Sequence, residues 1–239
     1  MKNRLIFHID VNSAFLSWES VYRLSRDPDA LDLRTIPSAV GGDAASRHGI
    51  ILAKSTPAKR FGVTTGEPLT QALKKCPQLT VVPSRFDYYI QCSRNMMALL
   101  SDYTPDSEKF SIDETFLDMT STIHLFGTPM DTANQIRNRI RDELGFTVNV
   151  GISSNKLLAK MASDFEKPDK CHTLFPEEVP AKMWPLPIRE LFMVGESAQK
   201  KLERMGLYTI GQVAACDLSI LKAQLGEKYA QTLHQYANG

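Results

Sequence analysis

LIFHIDVNSAF, residues 5–15, is the stretch from which the rest of the fold can be worked out. Residues 5–9 are mostly apolar and rich in strand formers, which predicts a buried strand that ends at Asp10. Asn12 or Ser13 can cap the helix that follows, along which aromatic residues recur at helical spacing. The pattern therefore places a carboxylate at the end of a strand that the fold buries.

A second acidic stretch, KFSIDETFLDM, covers residues 109–119. It predicts two short strands, over 109–112 and 115–119, on either side of Asp113 and Glu114. Taken alone, these two residues indicate a hairpin turn, and Asp10 taken alone indicates a turn or a helix cap. Taken together, the flanking strands are apolar enough to be neighbours in one sheet, where the three carboxylates would meet. Carboxylates that meet repel one another unless a cation joins them.

Carboxylate oxygens are hard ligands, which favours Mg²⁺ over zinc. Two such ions held by shared carboxylates are typical of enzymes that transfer phosphoryl groups. These residues therefore favour a phosphoryl-transfer site.

The rest of the chain divides into a mixed body and a helical end. The pattern predicts further strands over 36–40, 49–54, 79–82, 147–152 and 171–175, and helices over 68–76, 87–103, 131–144 and 155–165. The helix over 87–103 is expected to bury Ile90, Met97 and Leu100. Beyond Pro176 the prolines become frequent and the remainder is helical with turns. This order predicts an α+β body followed by a small all-α domain.

Composition is that of a soluble globular protein. The 239 residues, 43% of them hydrophobic and 23% charged, suffice for about two or three small domains. We expect a cytoplasmic protein without a membrane span, because the apolar run at residues 5–9 is also too short for a signal peptide. The four cysteines are far apart, which predicts small buried side chains in a reducing compartment. Residues 41–75 hold six basic and two acidic residues, a local charge of +4 that alone favours a solvated face.

The acidic stretches resemble two motifs of the Y-family (translesion) DNA polymerases. Residues 9–15 resemble the first motif of that family, and residues 111–118 resemble its second acidic motif. The resemblance implies that Asp10, Asp113 and Glu114 are catalytic and hold two Mg²⁺ ions, with Mn²⁺ as an alternative. It also implies that the backbone carbonyl of Val11 is a ligand, and that Glu114 supports deprotonation of the primer 3′-hydroxyl.

The resemblance extends to the nucleotide. It implies that Asn12, Ser13, Ala14 and Phe15 bind the incoming dNTP, and that Phe15 is a steric gate against a ribose 2′-hydroxyl. On its own, Phe15 indicates a core aromatic residue of the first helix.

Two further segments are similar to nucleotide-binding motifs of the family. Residues 55–63, STPAKRFGV, resemble the fingers motif that grips the triphosphate, with Thr56 where tyrosine is usual and Lys59 where arginine is usual. Residues 151–168 resemble the last palm motif, which gives Lys167 a triphosphate contact. For Lys156 and Lys160 on the same segment we expect solvation.

Residues 194–213 resemble a helix-hairpin-helix. The resemblance implies that Gly195, Lys200 and Lys201 hold DNA phosphates without reading sequence. The hairpin of the motif usually carries two close glycines, whereas here only Gly195 is present before Glu196. On its own the segment indicates a plain αα-hairpin. The five histidines show no ligand spacing, and we assign them no function.

The resemblance covers Arg4 to about Asn238 and implies three domains. These are a ferredoxin-like palm (1–10 and 85–174), small α/β fingers (11–84) and an all-α helix-hairpin-helix thumb (175–239). Family members continue into a little finger, often with a sliding-clamp tail, so these 239 residues are expected to bind DNA weakly.

The expected function is template-directed DNA synthesis across damaged DNA, with primer-template DNA and dNTP as partners. The small residues Ser13, Ala14 and Ala53 suit an open site. Two alternatives remain: a non-catalytic DNA-binding subunit on a polymerase scaffold, and a nucleotidyl cyclase-like palm enzyme.

Overall fold

The computed structural model describes residues 4–42 and 49–239. Asp43, Arg47 and His48, which entered the charge and histidine arguments, lie outside the described residues. The strands are β1 Ile6–Val11, β2 Ser38–Gly41, β3 Ile51–Lys54, β4 Thr80–Val82, β5 Ser107–Lys109, β6 Glu114–Asp118, β7 Val148–Ser153 and β8 Cys171–Thr173. The α-helices are α1 Ala14–Leu24, α2 Thr56–Arg60, α3 Leu69–Lys75, α4 Phe86–Leu100, α5 Pro129–Leu144, α6 Lys156–Ser163, α7 Val179–Lys182, α8 Glu196–Arg204, α9 Ile210–Ala215, α10 Leu218–Leu225 and α11 Glu227–Asn238.

The larger sheet has five strands in the order β5-β6-β1-β7-β8. Its central strand β1 is antiparallel to both neighbours and buried along its whole length. Because side chains alternate along a strand, Phe7, Ile9 and Val11 enter a core formed with α4 and α5. His8 and Asp10 point to the opposite face, where α6 packs.

The smaller sheet has three strands in the order β3-β2-β4, with β2 antiparallel to β3 and parallel to β4. Its apolar core is shared with α2 and α3. Helix α1 joins the two sheets, because Trp18 packs in the core of the larger sheet and Leu16 in a core beside β2. Ser13 precedes α1 as predicted, but its side chain makes no capping hydrogen bond.

Gly151 sets how closely α6 approaches the larger sheet. A Cβ atom at this position of β7 would lie 1.8 Å from the carbonyl oxygen of Ala159 and 2.5 Å from the amide nitrogen of Ser163. Only glycine therefore permits this contact between strand and helix. The other side of α6 packs against the C-terminal helices through Leu158 and Met161.

The α+β prediction with a helical C-terminal end is confirmed, with two corrections. The strand predicted over 109–112 is wrong, because β5 ends at Lys109 and residues 110–113 form the hairpin loop. The hydroxyl of Ser111 accepts hydrogen bonds from the amides of Asp113 and Glu114, a local turn that competes with strand pairing.

The predicted apolar stripe of the helix over 87–103 is also wrong in part. Leu100 is buried, but Ile90 is 39% exposed and Met97 lies at the edge of the core. Tyr89 takes the inner position instead, since its ring packs against Trp18 and its hydroxyl donates to the buried Glu19 at 3.2 Å.

The predicted burial of the cysteines is confirmed for Cys76 and Cys92, whereas Cys171 and Cys216 are partly exposed. Within the part of the chain that the structure describes, none of the helices combines the length and the apolar character needed to cross a bilayer.

Candidate active site

The backbones of the three acidic residues of the sequence prediction lie together where the neighbouring strands β1 and β6 meet the hairpin loop. Asp10, near the end of β1, lies directly opposite Glu114, the first residue of β6. One residue further along, the backbone amide of Val11 donates a hydrogen bond to the carbonyl oxygen of Asp113 at 3.1 Å. We call Asp10, Asp113 and Glu114 the acidic corner. Directly opposite residues of antiparallel strands share a face, so the Asp10 and Glu114 side chains project on the same side.

Lysines neutralise the acidic corner in this structure. Lys167 forms an ion pair with Asp10 and lies 2.8 Å from Asp164, while Lys160 Nζ lies 2.6 Å from Glu114 Oε2. Burial raises the pKa of Asp10, and the attraction of Lys167 only partly offsets that effect. Burial also acts to raise the pKa of Glu114, but the nearby His8 ring and the hydrogen bond from Lys160 outweigh it and lower the pKa to about 2.

The carboxylates do not form a ready metal cage as they stand. Across residues 4–42 and 49–239, no three His, Cys, Asp or Glu side chains are grouped so that they could hold a metal ion. The Asp113 carboxylate instead accepts a 2.6 Å hydrogen bond from the Ser111 hydroxyl. The corner still offers only oxygen ligands. Burial is the main cause of the raised pKa of Asp10, and the charge of Glu114 adds a smaller repulsion that a divalent cation would relieve. The residues therefore fit a hard divalent ion.

The expectation that Lys160 is solvated is wrong. Its side chain is 12% exposed, and its ammonium group lies 5.1 and 5.5 Å from the ring centres of Phe110 and Phe192. The close approach of α6 to the sheet turns this lysine towards Glu114. Lys156 is 45% exposed and pairs with Glu108, in keeping with its predicted solvation.

His8 is a member of the site that sequence reasoning missed. It is fully buried, with Nε2 3.5 Å from Glu114 Oε2 and Nδ1 2.8 Å from the hydroxyl of Ser163. The available signal was strand alternation, which places His8 and Asp10 on one face.

Asn149 was missed as well. It lies opposite Asp10 on β7, is fully buried and accepts from the Asn12 amide at 3.0 Å. Its own amide donates to the carbonyl oxygens of Ser163 (2.9 Å) and Glu166 (2.6 Å). Asn149 thereby ties the segment that carries Lys167 to the sheet. A polar amide within a buried strand was the signal.

A cavity of about 260 Å³ lies beside the acidic corner and is lined by lysines from β3, from α2 and from the segment after α6. We call it the basic pocket; its lining is Asn12, Ser13, Lys54, Ser55, Thr56, Lys59, Lys167 and Pro168. The structure thus brings together five of the residues predicted to bind nucleotide. Ser55 shapes the pocket as the N-cap of α2, since its hydroxyl accepts from the amide of Ala58 at 3.0 Å. The Asn12 side-chain oxygen is occupied by Thr147 and by the amide of Asp169.

A second cavity, of about 200 Å³, leads from the basic pocket to Asp113. We call it the Phe15 pocket; its lining is Val11, Ser13, Ala14, Phe15, Leu52, Ala53, Lys54, Thr65 and Asp113. The ring of Phe15 stacks on Tyr89 at 5.1 Å between ring centres and remains partly exposed to the cavity. The small side chains of Ala14 and Ala53 keep this space open.

The predicted DNA-binding residues of the C-terminal helices line neither pocket. Gly195 immediately precedes α8, Lys201 is exposed, and Lys200 pairs with Glu196 at 2.5 Å on the surface. Met193, two residues before Gly195, has a left-handed φ of 75°, a conformation that favours glycine.

Comparison with protein families gives two matches in succession. Residues 9–164 match the impB/mucB/samB family, and residues 189–239 match the thumb domain of DNA polymerase iota. The first match contains the whole acidic corner and most of the basic pocket.

Curated proteins that are similar to the chain are DNA polymerases IV. The chain is 52% identical to DNA polymerase IV of Clostridium acetobutylicum over 99% of its own length and 59% of the relative's. It is 43% identical to DNA polymerase IV 1 of Bacillus subtilis, over 94% of this chain and 52% of that protein. The chain therefore spans less than two thirds of the curated relatives that it matches.

Solved structures share the fold. DinB from Sulfolobus solfataricus superposes with a TM-score of 0.85 at 25% identity, over 98% of this chain and 66% of that one. An insertion ternary complex of Dbh DNA polymerase gives a TM-score of 0.83 at 25% identity, over 98% and 67%. With the family model matching well over half of its residues, the chain belongs to the impB/mucB/samB family of Y-family DNA polymerases.

Proposed function

We propose that this chain carries the catalytic centre of a DNA-directed DNA polymerase, which adds dNTPs to a primer 3′-hydroxyl and copies damaged templates. The observation that carries the proposal is the pairing of Asp10 with Glu114 across β1 and β6, beside a pocket lined by lysines. Carboxylates for divalent ions next to cations for a polyphosphate are what nucleotidyl transfer requires. The polymerase names of the relatives support the same reaction.

Two divalent ions, Mg²⁺ or alternatively Mn²⁺, would be held by Asp10, Asp113, Glu114 and the backbone carbonyl of Val11. When bound, such ions activate the attacking hydroxyl and neutralise the charge of the leaving pyrophosphate. The protein's own part is to hold the carboxylates ionised and in place. Lys160 and His8 do this for Glu114, whose pKa they lower to about 2.

The incoming dNTP would occupy both cavities. Its triphosphate fits the basic pocket, where Lys59, Lys167 and the hydroxyl of Thr56 supply charge and hydrogen bonds. The N-terminal end of α1, which follows Ser13, also faces this pocket and favours an anion. Its sugar fits the Phe15 pocket. There Phe15 would act as the steric gate against a ribose 2′-hydroxyl. The preceding residues Asn12, Ser13 and Ala14 would also bind the nucleotide.

DNA would be held by the C-terminal helices. We assign the palm to residues 1–10 and 85–174, the fingers to 11–84 and the thumb to 175–239. Gly195, Lys200 and Lys201 would contact phosphates of the primer-template without reading sequence. A little finger and a sliding-clamp contact would lie in the part of the relatives that this chain does not span.

Primer extension with Mg²⁺ tests the proposal. The wild-type chain should extend a primer in a template-dependent manner, and Asp113→Ala should abolish extension, whereas Asp142→Asn, an exposed change at the end of α5, should not affect it. Extension that proceeds without a template, a cyclic product from dNTP alone, or equal activity of the Asp113→Ala variant would refute the proposal.

A lesion assay tests the translesion part. The open Phe15 pocket predicts that synthesis continues opposite an abasic site better than with a high-fidelity polymerase. Equal arrest of the two enzymes at the lesion would contradict it.

A further inference from the structure

Lys54 stands where the two cavities of the site meet. It is the last residue of β3, along which Ile51 and Ala53 are buried while Leu52 and Lys54 are only partly so. Because side chains alternate along a strand, Leu52 and Lys54 share one face of β3, and both line the Phe15 pocket. Lys54 lines the basic pocket together with Lys59 and Lys167, and it also lines the Phe15 pocket together with Asp113.

The surroundings of Lys54 disfavour its positive charge. Its ammonium group donates to the neutral hydroxyl of Thr65 at 3.1 Å. Burial lowers the pKa of Lys54, and the positive charge of Lys59 lowers it further, while Glu67 acts weakly in the opposite direction. Cations that converge on one cavity repel one another, and a polyanion that binds between them removes this repulsion.

The neighbouring residues indicate what an additional lysine contributes to triphosphate binding. Thr56 reaches less far into the basic pocket than the tyrosine usual in the family, and Lys59 lacks the two-pronged geometry of arginine. Both differences reduce the grip on a triphosphate. A third lysine on the adjacent strand supplies charge on the side of the pocket that faces Phe15.

We propose that Lys54 is a further nucleotide-binding residue, which contacts the triphosphate of the incoming dNTP together with Lys59 and Lys167. This inference rests on the proposed polymerase function. Its competitor is a purely structural role, in which Lys54 holds the turn at Thr65 through their hydrogen bond.

Steady-state primer extension at varied dNTP concentration distinguishes the two roles. Lys54→Met keeps the apolar stem but removes the charge, and we expect it to raise KM for dNTP about 10-fold, the loss of one charge-assisted contact, with kcat within about 2-fold of wild type. Lys54→Arg should restore KM. Thr65→Val removes the hydrogen bond but keeps the lysine, so it should raise KM far less than Lys54→Met does. Lys74→Met, which removes an exposed lysine of α3, should leave KM unchanged.

A KM of wild-type size in Lys54→Met, or equal effects of Lys54→Met and Thr65→Val, would overturn the inference. Isothermal titration of the chain with dATP and Ca²⁺ keeps it separate from the proposed function, because this measurement needs no turnover. Weaker dATP binding by Lys54→Met would support the role of Lys54 even if the wild-type chain extended no primer. Wild-type affinity in a variant of unchanged circular dichroism would refute that role.

Discussion

The acidic corner and the basic pocket adjoin each other but are built in different ways. Asp10 and Glu114 belong to neighbouring strands of a five-stranded sheet, and their separation is set by the backbone hydrogen bonds of β1 and β6. The lysines of the basic pocket come from β3, from α2 and from the segment after α6. Each reaches the cavity by a long flexible side chain.

This difference separates what the fold fixes from what it leaves adjustable. A carboxylate on a buried strand cannot move without breaking the register of the sheet. A residue on a pocket wall can be exchanged for another polar residue with little effect on packing. Thr56 and Lys59, which stand where the family usually has tyrosine and arginine, illustrate such exchanges. We therefore expect changes in the acidic corner to act on kcat and changes in the basic pocket to act on KM.

The largest expected effect comes from replacing one oxygen of the acidic corner. Asp10→Asn keeps the shape of the side chain but removes its charge, so several kcal/mol of metal-dependent stabilisation disappear and kcat should fall by about 10³-fold or more. Lys59→Met should instead raise KM about 10-fold with little change in kcat. Single-turnover extension at varied dNTP concentration measures both. A change of KM alone in Asp10→Asn would remove the distinction between the two regions.

The next effect concerns the support of the corner. In Gly151→Ala the new methyl group would overlap the backbone of α6, which would lower the free energy of unfolding by about 3 kcal/mol and displace Lys160 from Glu114. Urea denaturation measures the loss. Gly195→Ala is the matched control, since nothing lies within 4 Å of its added Cβ, and it should lose less than about 1 kcal/mol. Equal losses in the two variants would mean that α6 adjusts freely.

Sequence patterns predicted the acidic corner because its information is local. Each carboxylate directly follows or begins an apolar run, so the strand ends could be read from periodicity, and the family motifs paired the two ends. His8, Asn149 and Lys160 were not found in this way. Strand alternation places His8 on the face of Asp10, but the contacts of all three residues depend on how α6 packs against β1 and β7, which the periodicity of these elements does not encode.

The basic pocket was predicted only in part for a related reason. Lys59 and Lys167 sit in recognisable motifs, whereas Lys54 becomes part of the site only because β3 faces the cleft that the larger sheet borders. The hairpin at 110–113 was misjudged because the hydroxyl of Ser111 satisfies two backbone amides, an interaction that hydrophobic patterning does not register. A side-chain hydrogen bond thus determines where this strand ends, which the apolar pattern does not show.

A smaller effect is expected from the pH dependence of the turn at Thr65, which borders the Phe15 pocket. Glu67 is buried, which acts to raise its pKa, but hydrogen bonds from Lys75 (2.5 Å) and the amide of Thr64 (2.7 Å) outweigh this and lower the pKa below the ordinary 4.5. A lowered pKa stabilises the fold above the unfolded-state value, and this stability is lost as the pH falls through the folded-state pKa.

The free energy of unfolding of the wild type should therefore decrease more than that of Glu67→Gln as the pH falls below 4.5, the ordinary pKa of the carboxyl group. Urea titrations of both proteins across this range provide the measurement, and the difference between them removes the contribution of the other carboxylates. Parallel curves would show that the turn at Thr65 does not depend on this ion pair.

The smallest expected effect tests whether the basic pocket can be improved without touching the corner. Lys59→Arg introduces a guanidinium that can donate two parallel hydrogen bonds to a phosphate, so KM for dNTP should fall by about 2- to 5-fold while kcat stays constant. Lys74→Arg, on the exposed side of α3, is the control and should change neither constant. A fall in kcat of the Lys59→Arg variant would mean that the pocket positions the nucleotide for reaction as well as binding it. Nucleotide affinity and the rate of the chemical step would then be coupled. The kcat set by the acidic corner would depend in part on the lysines of the basic pocket.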